Sequence, residues 1–171
     1  MALDSPRNVE DLLNYRLARL MALTGAPGLR LLEGRYGVTR RAWGLMGILA
    51  ANGAMSPSEL SRRARLERAK VSLTISDLVE RGLLLRVAVP HDRRRAHVDL
   101  TERGHELYRR AFPELAAISR SMLEDLSPAQ IEALDQIMQR VSATAERIQA
   151  SAPVTDKADR RRGGSRRARP V

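Results

Sequence analysis

Asp92-Arg93-Arg94-Arg95-Ala96-His97-Val98-Asp99-Leu100-Thr101 opens with three consecutive guanidinium groups and then alternates apolar with polar side chains. Ala96, Val98 and Leu100 fall on one side and His97 and Asp99 on the other, the period of two that marks a strand with one buried face. Just upstream, Leu83-Leu84-Leu85-Arg86-Val87-Ala88-Val89 is apolar, partly β-branched and long enough to be the partner strand. Pro90 closes it, because proline cannot donate to a sheet ladder. The pair predicts a β-hairpin whose tight turn carries the three arginines.

What precedes the hairpin tells what its basic tip is for. Ser56-Pro57-Ser58-Glu59 supplies a hydroxyl N-cap, a proline at the first helical position and a glutamate three residues after the cap. That is a capping box, and it predicts a short helix over 57–64. Arg65-Leu66-Glu67 interrupts it, and a second helix is expected over 68–81, stopped by Gly82 where a left-handed C-cap is wanted. In that helix Val71, Ile75, Leu78 and Val79 form one buried stripe. Arg68, Lys70, Ser72, Leu73, Ser76 and Asp77 are left facing outward.

This helix, turn, helix and basic hairpin resemble the winged helix-turn-helix of the MarR family (multiple antibiotic resistance regulators). The family's wing pattern is met by Asp92, Arg94, Val98, Leu100 and Thr101, and its following Glu-x-Gly by Glu102 and Gly104. Upstream, Glu59-Leu60 matches the start of the first reading helix, 78–83 matches the end of the second, and Trp43 sits where the family usually carries an aromatic. The similarity is good over 38–107 and extends to the flanks only as helical character. Leu73 stands where the family often has a polar or basic residue, and Arg65 replaces the small residue usual in the turn. The resemblance implies a sequence-specific DNA-binding transcriptional regulator that lays its second reading helix in the major groove. Lys70, Ser72 and Ser76 are then candidates for base edges, with Leu73 beside them and Arg68 on phosphate. Arg93 and Arg95 are candidates for minor-groove or phosphate contact, while Asp92 and Arg94 pair to hold the wing's shape.

Charge points independently to the same partner. The chain of 171 residues has a formal net charge of +10, far into the range where a phosphate backbone is expected. Residues 155–171 hold seven basic side chains against two acidic ones, a net of +5, and residues 56–103 hold eleven against seven, a net of +4. Cysteine is absent, which excludes disulfides and thiol-based sensing. No run of about 18 apolar residues and no cleavable leader is present, so a cytoplasmic location without a membrane span is expected. His91, His97 and His105 are spaced so that no two fall on adjacent helical turns, and no metal site is expected. The sequence carries no phosphate loop, no His-Glu-x-x-His and no Gly-x-Ser-x-Gly, so neither an enzyme nor a cofactor is expected.

The flanks read as helices that assemble. Residues 9–24 carry Leu12, Leu13, Leu17, Leu20 and Met21 at helical spacing, and Thr24-Gly25-Ala26-Pro27-Gly28 is expected to break that helix before a short one over 29–35. Further helices are expected over 39–52, over 101–123 with a kink at Pro113, and from 128 to about 149, where Ile131, Leu134, Ile137, Met138, Val141, Ala145 and Ile148 make a sustained stripe. Apolar stripes on terminal helices need cover, which a second copy of the chain is expected to provide, the alternative being that the helices fold back on the same chain. The expected class is mainly α with a small β-wing. Its parts are N-terminal dimerisation helices (1–37), a winged helix-turn-helix domain (38–104), C-terminal dimerisation helices (105–150) and a disordered basic tail (151–171). A homodimer then places two reading helices on a near-palindromic operator in double-stranded DNA.

The resemblance also implies a pocket between the dimerisation helices and the reading domain for a small-molecule effector, commonly an aromatic acid or phenol. Tyr15, Arg16 and Arg19 from the first helix, with Trp43 and Met46 from the third, are the candidate ligand residues, offering an aromatic wall and a carboxylate partner. The competing reading is a winged-helix architectural or RNA-binding module without an effector site, for which the arginine tail would be the main binding element.

Overall fold

The computed structural model describes the backbone of residues 3–89 and 92–151, with the side chains of all of these except 89 and 92–96. A 3-10 turn at Val9–Asp11, capped by the Asn8 side chain, leads into α1, Leu13–Arg30, which runs directly into a π-helical turn at Leu31–Arg35. The expected break at 24–28 does not occur: α1 continues through Pro27. The glycines there serve close packing instead of chain reversal. A β-carbon at Gly28 would lie 3.2 Å from the Leu115 side chain, and one at Gly25 would meet the Arg40 guanidinium at 2.0 Å.

The reading region follows its local signals closely. Helix α2, Arg40–Asn52, starts where the Thr39 hydroxyl accepts from the Ala42 amide at 3.1 Å and ends at Gly53, whose φ of 73° suits a residue without a β-carbon. Helix α3, Pro57–Ala64, starts where Ser56 Oγ accepts from the Glu59 amide at 3.1 Å. Helix α4, Arg68–Glu80, buries Val71, Ile75 and Leu78 and gives way to Gly82 at φ 67°. Strands β1, Leu84–Val89, and β2, Asp92–Leu100, pair antiparallel from Leu84 opposite Leu100 to Ala88 opposite Ala96. Val98 and Leu100 are buried while His97 and Asp99 are half-buried, so the alternation reads true. The register then shifts between Ala88 and Val89, and Val89 faces Asp92. Residues 93–95 therefore fall between the paired positions 92 and 96, in an irregular stretch of β2 and not in the turn itself. The extra residues on one strand displace the arginine triplet from the expected tip. Pro90 and His91, the side chains of Asp92, Arg93, Arg94 and Arg95, and the tail beyond Ser151 lie outside the described residues.

Met55 ties the hairpin to the entry of α3 by a two-bond bridge to Val98, with N–O distances of 3.1 and 2.9 Å. Around this joint sits the core, in which Val38, Leu45, Met46, Leu49, Leu60, Ile75, Leu78, Leu84 and Val98 are essentially inaccessible. Each fully buried side chain of this kind contributes about 1.5–3 kcal/mol, so the reading domain holds its own shape. Helix α5, Glu102–Ser121, is continuous through Pro113. Its N-cap Thr101 accepts from the Gly104 amide at 3.0 Å and donates to the Gly82 carbonyl at 2.7 Å.

Two compact units divide the chain, Met1–Leu123 and Glu124–Val171. What is described of the second is α6, Pro128–Ser151, two residues longer than expected. It starts with a full capping box, Gln130 N–H to Ser127 Oγ at 3.3 Å and Ser127 N–H to Gln130 Oε1 at 2.8 Å. Among the described residues no helix is long and apolar enough to cross a membrane.

Candidate nucleic-acid interface

The turn between α3 and α4 is built by one buried hydroxyl. Ser61, 5% exposed, donates to the Leu66 carbonyl at 2.6 Å, while the Leu66 amide donates back to the Ser61 carbonyl at 3.1 Å. Arg65 completes the turn with φ 52° and ψ 40°, in the left-handed region. Ser61→Ala leaves the Leu66 carbonyl without its hydroxyl partner and is expected to cost about 1–2 kcal/mol. Thermal unfolding should report this as a Tm lower by roughly 2–8 °C.

With its apolar stripe against the core, α4 presents a polar face to solvent. Arg68, Ser72, Leu73 and Ser76 are exposed, and Lys70 is half-exposed with its Nζ 3.1 Å from Glu67 Oε2. Arg68, Ser72 and Ser76 are spaced by four and lie on one line along the helix. Leu73, 74% exposed beside them, has nothing of the core to pack on. Lys70 is thus engaged by a carboxylate at the start of its own helix. On α3, Glu59 accepts from Arg62 and Arg63, and these hydrogen bonds, Arg62's first, hold its carboxyl below the usual carboxylate range. An open concavity of about 490 Å³ lies between the two helices, lined by residues that include Ser58, Arg62, Arg65 and Arg68.

The end of α4 is fixed from two sides. Arg81 donates to the Gly37 carbonyl at 2.9 Å, and its own carbonyl accepts from Arg103 at 3.2 Å. The reading helix is thereby joined to the segment before α2 and to the first turn of α5.

The candidate ligand residues separate into two places. Arg16 and Arg19 border an open cleft of about 390 Å³ with Glu10 and Asp11, and Tyr15 is exposed on the same helix. Met46 is fully buried in the core. Trp43 stacks on Tyr108 at 4.8 Å between ring centroids, and Tyr108 on Phe112 at 5.6 Å. Sequence reading missed Tyr108 and Phe112, although their spacing of four on one helix is itself a signal. It also missed a cleft of about 300 Å³ walled by Arg35, Tyr36, Arg103, Glu106, Leu107 and Arg110. There the Tyr36 hydroxyl donates to Glu114 at 2.5 Å, which raises the phenol's pKa, and Arg35 also pairs with Glu114.

Comparison with known proteins agrees with this geometry. The family model described as "MarR family" matches residues 36–95. The homoprotocatechuate degradative operon repressor of Escherichia coli is 24% identical over 119 residues, 70% of this chain and 80% of that protein. The crystal structure of Sco3205, a MarR family transcriptional regulator from Streptomyces coelicolor in complex with DNA, is 28% identical with a TM-score of 0.69, covering 81% of this chain and 91% of that one. PcaV of Streptomyces coelicolor, solved with its natural ligand, shares the fold at 22% identity and a TM-score of 0.68, covering 82% and 99%. These relatives are transcriptional regulators and not enzymes. With its winged helix-turn-helix built from these residues, the chain matches the MarR family over residues 36–95 and is similar over most of its length to DNA-binding transcriptional regulators of that family.

Proposed function

We propose that this regulator acts as a homodimeric repressor that binds a near-palindromic operator and is released by a small aromatic acid or phenol. The observation that carries the DNA-binding part is the exposed face of α4, Arg68, Ser72, Leu73 and Ser76, held beside a hairpin whose sequence carries three arginines. Ser72 and Ser76 offer hydroxyls to base edges, and Leu73 offers an apolar surface of the kind that meets a thymine methyl. Arg93 and Arg95 serve the flanking minor groove or phosphates, with Asp92 and Arg94 shaping the hairpin.

Dimerisation is supported by apolar surface that the isolated chain leaves in water. On α1, Leu13, Leu17, Leu20, Met21 and Leu23 are exposed, and on α6 so are Ile131, Leu134, Ile137, Met138 and Ile148. Contiguous apolar faces of this extent mark association sites, and a two-fold pair of reading helices spans successive major grooves about one helical turn apart. Release by an effector is supported by the Trp43–Tyr108–Phe112 stack, whose last ring is half-exposed. It is supported as well by the relatives, one a repressor of an operon for degrading an aromatic acid and one solved with its ligand. Arg16 and Arg19 are the candidates on α1 for pairing with a ligand carboxylate.

The test combines sedimentation equilibrium with a mobility-shift titration on the intergenic DNA beside the gene. A dimer in solution, with a retarded band that an aromatic acid dissolves, is expected. A monomer at micromolar concentration, or equal affinity for every duplex, would reject the reading.

A further inference from the structure

Among the described residues Arg65 is the one non-glycine with a positive φ; the others are Gly37, Gly53 and Gly82. A β-carbon disfavours that backbone, which glycine or asparagine adopts readily. A residue kept there against its own preference points to a use for its side chain. Arg65 borders the concavity between α3 and α4, together with Ser58, Glu59, Arg62 and Arg68. That wall carries three guanidiniums against one carboxylate, and Glu59 is already occupied by Arg62 at 2.7 Å and Arg63 at 2.7 Å. Arg68, exposed on the rim, is also the first member of the line that continues through Ser72 and Ser76. The concavity thus opens on the side from which α4 meets its target, one turn ahead of the candidate base contacts.

We propose that this concavity seats one backbone phosphate of the duplex, with the Arg65 and Arg68 guanidiniums donating to its oxygens and the Ser58 hydroxyl as a neutral donor. Charge-assisted bonds of this kind fix the register of a reading helix without carrying base preference. The left-handed turn places Arg65 on the lining of the same concavity as Arg68. The inference rests on the DNA-binding reading above and adds to it a contact outside α4 and the hairpin.

The experiment compares the full-length parent with Arg65→Gly and Arg65→Asn. Both replacements accept the left-handed backbone and remove the charge. Binding is read by fluorescence anisotropy on operator and on an unrelated duplex across a salt series, and folding by thermal denaturation. Binding is compared at a temperature where the melting curves show parent and variants all folded. Both variants should bind either duplex more weakly by the same factor, about ten-fold. The salt slope should be shallower by about 0.9 for each Arg65 engaged. Unchanged affinity and slope in both variants would overturn the phosphate seat. So would a loss confined to the operator, which indicates base reading, or a loss in Arg65→Gly alone, which indicates a turn made too flexible. If these variants match a parent that itself binds DNA with a steep salt dependence, the seat fails and the DNA-binding reading stands. If the parent binds no duplex, that reading is the one that fails.

Discussion

Replacing Arg93 and Arg95 together by alanine, with Arg94 left in place, is expected to weaken operator binding about a hundred-fold at physiological salt. The reason lies in counterion release: each neutralised phosphate contributes about 0.9 to the slope of log affinity against log salt, so losing two contacts flattens it by about 1.8 per hairpin engaged. The register shift between Ala88 and Val89 places residues 93–95 in an irregular stretch of β2, free of the regular ladder that runs from Leu84 to Ala88. The double substitution should therefore leave unfolding almost unchanged while binding falls. Anisotropy titrations over a series of KCl concentrations measure both quantities. A variant whose slope equals that of the parent would remove the hairpin from the interface.

Gly104→Ala is expected to be strongly destabilising. The added carbon would lie 2.2 Å from the Leu83 carbonyl oxygen, 3.2 Å from the Leu83 carbonyl carbon and 3.0 Å from Leu100 Cδ2. Two of these atoms are backbone, so no rotamer relieves the clash, and either α5 or the base of the hairpin must move. A cost of about 3 kcal/mol follows from overpacking of this kind, which corresponds to a fall in Tm of roughly 6–12 °C. Gly44→Ala is the control, since nothing lies within 4 Å of its added carbon and a helix interior favours alanine over glycine. Equal melting of the two variants would mean that the α5 joint is looser than its geometry.

Local chemistry explains why much of this was legible in the chain. The hydroxyl caps at Thr39, Ser56, Thr101 and Ser127, the left-handed Gly82, the stripe Val71, Ile75, Leu78 and the two-residue alternation ending in Leu100 each act through neighbours a few residues away. Where reading the sequence failed, the deciding atoms belonged to distant segments. Thr24-Gly25-Ala26-Pro27-Gly28 has the composition of a helix break, but Leu115 and Arg40 approach those glycines closely and the helix runs on. Ligand candidates were assigned from residue type, which could not tell that Met46 lies fully inside the core or that Trp43 stacks on Tyr108, sixty-five residues later. Arg65 was recognisable as an unusual turn residue, whereas its φ of 52° and its place beside Arg68 required the folded chain. Gly104 was matched as part of a pattern; the carbonyl of Leu83 is the physical reason for it.

The same joint has a mechanical meaning. Thr101 is bonded to Gly82 through its hydroxyl and to Leu83 through its amide, and Gly104 lies flush against the latter's carbonyl. These contacts join the root of the hairpin directly to the twenty-residue rod of α5 that begins there. A tilt of the rod's first turn is therefore expected to carry the adjoining β-strands with it, as a crank carries its shaft.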